Sequence, residues 1–452
     1  MVKYLFSFFF ICLSAAAFGQ SNNEVPLDNS PFSRFGIGDF YGINYSAMNA
    51  MGGLTATYND PYHLNPFNPA SSSALKSTAY EVGIYGKYAK LKDSEKSADI
   101  WSGHLQNLSI GFPLRNQINE LLDRRQKSKL RLGMHFALLP YTSVGYNIKA
   151  SQQVPSVDSV NYAFQGSGGT YKLIWGNSIG FKGFSFGVNL GYFFGSIKNE
   201  KGLTFNQIKD GYQNDLKYNS RYGGFIWNAG AQYTYEFMKK SGTKTEKTGR
   251  KLTFGAYGNS STGFSTNSSQ VIRRINYNYA TSTSSFHSDT LFSERKSGVK
   301  KTGKLPAEFS AGVMYEKENK LKAGINFNTG LWSGYVNEIQ PENLKNTFGI
   351  SAGAEFTPEF NSYNKYLRRV RYRGGIHYNT DPRVIKGEQM KTTGITFGLG
   401  LPLIMPRQQV SFIDVTFDVG KTGVSVLSEN YAKVILGFTL NDNSWFYKRR
   451  FN

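Results

Sequence analysis

Strict alternation of apolar and polar side chains, repeated in fourteen segments from residue 78 almost to the C-terminus, constrains this chain more than any other feature. In 184–194, Phe184, Phe186, Val188, Leu190, Tyr192 and Phe194 fall on one face, and Ser185, Gly187, Asn189, Gly191 and Phe193 on the other. A period of two is that of a β-strand with unlike faces. The segments fall at 79–91, 105–113, 130–149, 160–181, 184–198, 217–238, 251–265, 303–316, 320–335, 345–357, 368–379, 391–402, 409–421 and 430–441. A soluble sandwich would alternate in the same way, but its strands run about 5–6 residues. Most segments here reach or exceed the ~9–11 residues of a strand that crosses a membrane, and their connections are alternately short and long. The expected fold is therefore all-β: a transmembrane antiparallel β-barrel of about 14 strands in the cell outer membrane.

An even strand number returns both termini to one side, the periplasmic one. Short connections at 182–183 and 317–319 belong on that side, and long ones at 199–216 and 266–302 outside. Two periplasmic connections are longer than the rule. In 114–129, Ile118, Leu121 and Leu122 stand at helical spacing and read as a short interfacial helix, while 239–250 is a Lys/Thr/Gly run read as a mobile turn. Residues 266–302 are expected to prolong a hairpin beyond the membrane, with strand character in 271–279 and a tip at 282–285.

Composition fits a barrel. Aromatics make up 15% of residues, with 29 Tyr and 35 Phe, yet mean hydropathy is −0.40. One lipid-facing side per strand, with aromatic girdles at both interfaces, accounts for that combination. Residues 1–19 read as a secretory signal peptide: Lys3, an apolar run over 4–13, then Ala15, Ala16, Ala17, Phe18 and Gly19 before a mature start at Gln20. Cys12 lies within the apolar run and lacks the small residues that a lipoprotein signal needs before it, so the mature chain is expected to be free of cysteine, which excludes thiolate chemistry and disulfides. No later apolar run reaches the ~20 residues of a spanning helix. The net charge of +21 is best read as a basic rim meeting anionic membrane lipids and lipopolysaccharide phosphates; attraction of an anionic ligand is the sharper alternative. Without a basic-aromatic module, nucleic acid is not a partner.

Between signal and barrel, residues 20–77 have neither period. The stretch 30–75 is dense in Gly, Asn, Pro and Ser. Irregular backbone is tolerated at membrane depth only inside protein or beside water, which makes this segment an N-terminal hatch in the lumen. Pro66 and Pro69 keep Asn65 and Asn68 out of helical conformations, and Asn side chains satisfy local backbone groups in tight turns. Gly52 and Gly53 allow conformations or close approach that other residues forbid. Phe32, Arg34 and Phe35 are candidate ligand contacts, because an Arg between aromatics suits an amphipathic anion, though anchoring to the wall is the commoner role. Pro140, midway along the third strand, removes a ladder donor and favours a bulge or kink.

Catalysis finds little support. His63, His104, His135, His287 and His377 have no metal-ligand spacing, and no phosphate-cradling motif is present, so no metal, no cofactor and no enzyme activity are expected. His135 near Pro140 with a nearby serine would suggest an esterase, but Ser is abundant and a satisfied histidine is the commoner case.

The small-residue segment Ala47, Met48, Asn49, Ala50, Met51, Gly52, Gly53, followed by Asn65, Pro66, Phe67, Asn68, Pro69, Ala70, Ser71, resembles the long-chain fatty acid transporter family of outer-membrane barrels in its Bacteroidetes-type form. In that family a Gly/Ala-rich segment and an Asn-Pro-Ala motif lie in a hatch inside a fourteen-stranded barrel, and an inward kink of the third strand opens a lateral gap for hydrophobic ligand. The resemblance implies passive uptake of small hydrophobic or amphipathic molecules through hatch and lateral opening, with Phe32, Arg34, Phe35, Gly52, Gly53, Asn65, Pro66, Asn68 and Pro69 in the hatch and Pro140 at the kink. The tail from Trp445 to Asn452 departs from the better-known transporters, which end on an aromatic residue. The layout is a signal peptide at 1–19, hatch at 20–77, barrel at 78–441 and periplasmic tail at 442–452. The alternative function is a sealed barrel acting as scaffold or partner of other outer-membrane proteins in a secretion or assembly complex.

Overall fold

The computed structural model describes residues 30–93, 97–114, 130–155, 158–205, 213–241, 244–277, 288–405 and 409–442. The signal peptide, Cys12, the helix expected after Leu114, the 282–285 tip and the tail from 443 lie outside these residues. Fourteen barrel strands follow in order: β1 (Thr78–Asp93), β2 (Ser97–Pro113), β3 (Leu130–Val154), β4 (Asp158–Phe181), β5 (Phe184–Phe205), β6 (Gln213–Ser241), β7 (Lys244–Asn259 and Thr262–Tyr277), β8 (Ser288–Leu305 and Glu308–Lys317), β9 (Leu321–Gly330), β10 (Thr347–Phe356), β11 (Arg371–Ile385), β12 (Glu388–Ile404), β13 (Val410–Gly423) and β14 (Leu427–Asp442). Each pairs antiparallel with the next, and β14 pairs with β1 from Asp442↔Thr78 to Leu427↔Asp93, so the sheet closes into a barrel.

The alternation read from sequence is the inside–outside division of this wall. Phe184, Phe186, Phe225, Ile325, Phe348, Ile395 and Phe397 are exposed on the outside, whereas Asn189, Gln232, Asn326 and Thr396 are buried facing in. Among the described residues no helix is long and apolar enough to cross a membrane. Lys386 and Gly387, with φ of 49° and 87°, form the two-residue turn between β11 and β12; left-handed turns of this kind match the twist of a hairpin.

Strand lengths differ from the expectation on one side. Residues taken as the loop 199–216 continue β5 to Phe205 and begin β6 at Gln213, and β7 and β8 pair from Thr262↔Leu305 to Tyr277↔Ser288. The run 239–250, read as a mobile turn, also belongs to a hairpin, with Met238↔Lys247 to Ser241↔Lys244 in register. The prolonged β7–β8 hairpin, with the strand character expected of 271–279, follows the sequence reading, whereas the ends of β5 and β6 and the run 239–250 lack sustained alternation, yet paired backbone is as well satisfied in water as in lipid. The wall is consequently tall over β3–β8 and short over β9–β14, where β9 and β10 have only 10 residues each.

Candidate functional site

The segment 44–75 is packed inside the barrel, and its chemistry explains how irregular backbone survives there. Asn65 Nδ2 donates to the carbonyls of Thr55 (2.7 Å) and Tyr58 (2.9 Å), and Asn68 Oδ1 accepts from Ala70 N at 3.2 Å, capping a short helix over Pro69–Ala74. The wall satisfies other groups: Asn189 and Asn228 donate through Nδ2 to the carbonyls of Pro66 (2.7 Å) and Phe67 (2.8 Å), and Asn326 Oδ1 accepts from Ala56 N at 3.0 Å. Where wall and segment meet backbone to backbone, the wall residue is glycine. A Cβ on Gly133, Gly255, Gly353 or Gly375 would overlap main-chain atoms of Ser72, Ala56, Met51 and Gly52, respectively. Gly52 itself has φ of 68° and lies against the carbonyls of Ile376 and Ala352.

An ion network ties the same segment to the end of the lumen where β14 terminates. The buried Asp60 carboxylate accepts from Lys322 Nζ (2.8 Å) and Arg371 (2.9 Å), and contacts His63 Nδ1 at 3.1 Å. His63 Nε2 reaches Asp414 at 2.9 Å; Arg373 bridges Asp414 and Glu355, and Glu81 accepts from Leu64 N at 3.0 Å. Burial works against a charged His63, but Asp414 and Asp60 outweigh it and raise its pKa to about 9. The network thus sets the carboxylates of Asp60, Glu355 and Asp414 against the cations of His63, Lys322, Arg371 and Arg373, with Glu81 beside them bonded to the main chain. Each of these paired ions has an opposite charge in contact, which is what buried ions need.

Pro140 marks a break in the wall. β2 and β3 pair only from Pro113↔Gly133 to Leu108↔Leu138, although β2 continues beside β1 and β3 beside β4. The β3–β4 register shifts between Pro140 and Thr142. Above the break the edge of β3 is taken up by the N-terminal residues: Asp39↔Ser143 and Phe40↔Thr142 pair as a two-residue strand, and Tyr41 N donates to Tyr141 O at 3.0 Å. Ser30 N donates to Gly145 O (2.7 Å) and Asn44 Nδ2 to Pro140 O (3.0 Å). On the β2 side, Tyr41 packs edge-on against His104, with ring centroids 4.2 Å apart. Residues 39–44 therefore fill the gap between the parted strands.

Behind that filling lies a cavity of about 570 Å³, bounded by Leu139, Pro140 and Tyr141 on β3, by Ile100 and Ser102 on β2, and below by Asn49, Thr55 and Phe67. Its wall is amphipathic. Phe40 and Trp332 meet edge-on with ring centroids 4.7 Å apart, while Lys172 stands 3.5 Å over the Tyr141 ring, Lys87 pairs with Glu429, and His377 with Asp418 at 3.2 Å.

Of the residues singled out from sequence, Phe32, Gly52, Gly53, Pro66 and Pro140 border this cavity, whereas Arg34, Phe35, Asn65, Asn68 and Pro69 do not. Phe32 packs with Met390 and Val424, and Arg34 lies 4.1 Å over the Phe164 ring. Arg383, not foreseen, holds this N-terminal stretch from across the mouth: it pairs with Asp39 and Asp381 and donates to Phe32 O at 2.9 Å. The Ser–His pairing exists, with Ser72 Oγ and His135 Nδ1 2.7 Å apart, but both residues are buried and neither borders the cavity.

The structure resembles the Pseudomonas putida toluene transporter TodX (TM-score 0.53, 13% identity, 90% of this chain and 99% of that one), the CymD monoaromatic hydrocarbon channel (0.52, 13%, 89% and 98%) and a Pseudomonas aeruginosa FadL homologue (0.52, 11%, 89% and 98%). At such identities the likeness establishes the fold, that of the FadL-like outer-membrane barrels. No curated protein matches the sequence. The BamG family model matches residues 1–452, the entire length, and the chain belongs to the BamG family.

Proposed function

We propose that the protein is an outer-membrane channel for passive uptake of small hydrophobic or amphipathic molecules, which enter from the tall-walled end and leave sideways between β2 and β3. In this reading the end bearing Thr78 and Asp442 faces the periplasm, and no enzyme chemistry is involved. The observation that carries it is the cavity behind Pro140: it abuts the place where two neighbouring strands stop pairing, and, among the described residues, 39–44 stand between them. Its mixed lining suits a ligand with an apolar body and a polar end. The solved barrels of like fold are titled as hydrocarbon channels and a toluene transporter, which is consistent with this class.

A disulfide between Phe40→Cys and Thr142→Cys tests the exit. The two positions are directly paired, and Cα atoms across an antiparallel pair lie about 4.5–5.5 Å apart, within disulfide range. Oxidation is expected to abolish uptake of a fluorescent medium-chain carboxylate into cells expressing the variant, and a reductant to restore it. Unchanged uptake in both states removes the lateral route. Absence of uptake by the unmodified protein leaves the sealed scaffold as the reading to pursue.

A further inference from the structure

On the outside of the short wall, the last row of the apolar band is Ile395, Val419, Ala432, Tyr88 and Trp101, which are register neighbours across β12, β13, β14, β1 and β2. Trp101 is 73% exposed and packs against Tyr88 with ring centroids 4.9 Å apart and planes tilted by 50°, and such aromatics are enriched at a membrane–water interface. The next outward row up is Thr393, Lys421, Asn430 and Lys90, and the one above it Lys391, Gly423, Ser428 and Lys92. Rows on one face are separated by two residues, about 7 Å, and neighbouring strands by about 4.8 Å. Four exposed lysines thus frame a patch roughly 15 Å wide, whose centre carries only glycine and small hydroxyl or amide side chains.

Among the described residues no carboxylate forms an ion pair with Lys90, Lys92, Lys391 or Lys421. The two acids nearby are engaged elsewhere: Asp99, opposite Lys90, accepts from Tyr88 Oη at 2.9 Å, and Glu388 accepts from Ser425 N and Oγ at 2.9 and 2.8 Å. Of the four, Lys391 feels the Glu388 carboxylate without an ion-pair contact, and cations held this loosely above an aromatic row lie at the depth of lipid phosphates.

We propose that this face is a binding site for the phosphorylated headgroup of an outer-leaflet glycolipid. Its phosphates lie among the four lysines, its sugar hydroxyls reach Thr393, Ser428 and Asn430, and its acyl chains cover Ile395, Val419 and Trp101. The site borders β2, whose other edge is the gap described above, so the bound lipid flanks the lateral exit. The assignment rests on the orientation given under Proposed function; in the opposite orientation the lysines would meet glycerophospholipids instead.

The experiment compares the full-length protein with the variant K90Q/K92Q/K391Q/K421Q and a control, R221Q/K300Q/K304Q, which removes cations from the tall wall. Binding of bisphosphorylated lipid A, dephosphorylated lipid A and phosphatidylglycerol is measured by native mass spectrometry in detergent, with heat-modifiable gel migration confirming a folded barrel. The expected result is retention of bisphosphorylated lipid A by the parent and the control, and binding weaker by about tenfold or more in the quadruple variant. The four-arginine variant keeps the charge and restores binding if the glutamine variant folds poorly. Equal loss in the control, or no preference for the phosphorylated lipid, overturns the proposal; a preference for phosphatidylglycerol over lipid A overturns the orientation as well, whereas failure of the carboxylate uptake assay leaves this result untouched.

Discussion

Asp60 is the residue on which the inner contacts converge, and its partners Lys322 and Arg371 lie 262 and 311 positions away in sequence. Asp60→Asn keeps the shape but leaves two buried cations short of a countercharge. Removing one member of a buried ion cluster costs about 3–5 kcal/mol, so the variant is expected to lose its heat-modifiable folded form at a clearly lower temperature on semi-native gels. His63 gives this network a pH dependence. Its folded pKa, about 9, exceeds the unfolded value near 6.5, so the stability it contributes is fully present below pH 6.5 and lost as pH rises through 9. A melting curve that falls between pH 7 and 9.5 in the parent and is flatter in His63→Gln checks the sign; an equal slope in both would assign the effect to other groups. In the sequence these ions appear merely as charged residues on inward faces, as in Arg371 and Arg373 two positions apart. Which one meets which depends on the path of the inner segment, and no local pattern encodes that path.

At the scale of elements, inward glycines and the inner segment are two halves of one fit. Gly375 accommodates the Gly52 backbone, so Gly375→Val forces either the segment or β11 to move, and overpacking of this kind costs about 1–3 kcal/mol. Faster limited proteolysis within residues 44–75, with the barrel still folded, is the expected outcome; an intact protease-resistant segment would show that the contact yields at no cost. The strands were legible wherever lipid faces one side, because that environment imposes alternation. Beyond the apolar band the period fades: the continuation of β7 and β8 was legible from the strand character of 271–279, whereas the ends of β5 and β6 within 199–216 were not. Pro140 announced a break in the ladder, since a missing donor acts locally. That the break ends the β2–β3 pairing, and that Tyr41 and Asn44 occupy it, depends on residues about a hundred positions upstream.

For the whole molecule, the tall and short halves and the filled lumen set what can pass. The ion network lies toward the end where β14 terminates and the cavity lies beside the gap, so in the proposed reading a molecule entering from the tall-walled end meets the gap before the network. Removing residues 30–77 takes away Asp60, His63 and the main-chain groups packed on Gly133, Gly255, Gly353 and Gly375, and leaves a closed sheet whose inner face carries polar residues such as Asn189, Gln232 and Asn326 among apolar ones such as Phe193 and Phe264. In planar bilayers the parent is expected to be silent and the deleted barrel to give discrete conductance steps, as a fourteen-stranded wall without contents must admit water. A silent deleted barrel that is folded by gel migration would mean that the wall collapses on itself, and that the segment props it open as much as it closes it. A conducting parent would mean that the ion network leaves an axial path, and the exit proposed between β2 and β3 would then be one of two routes.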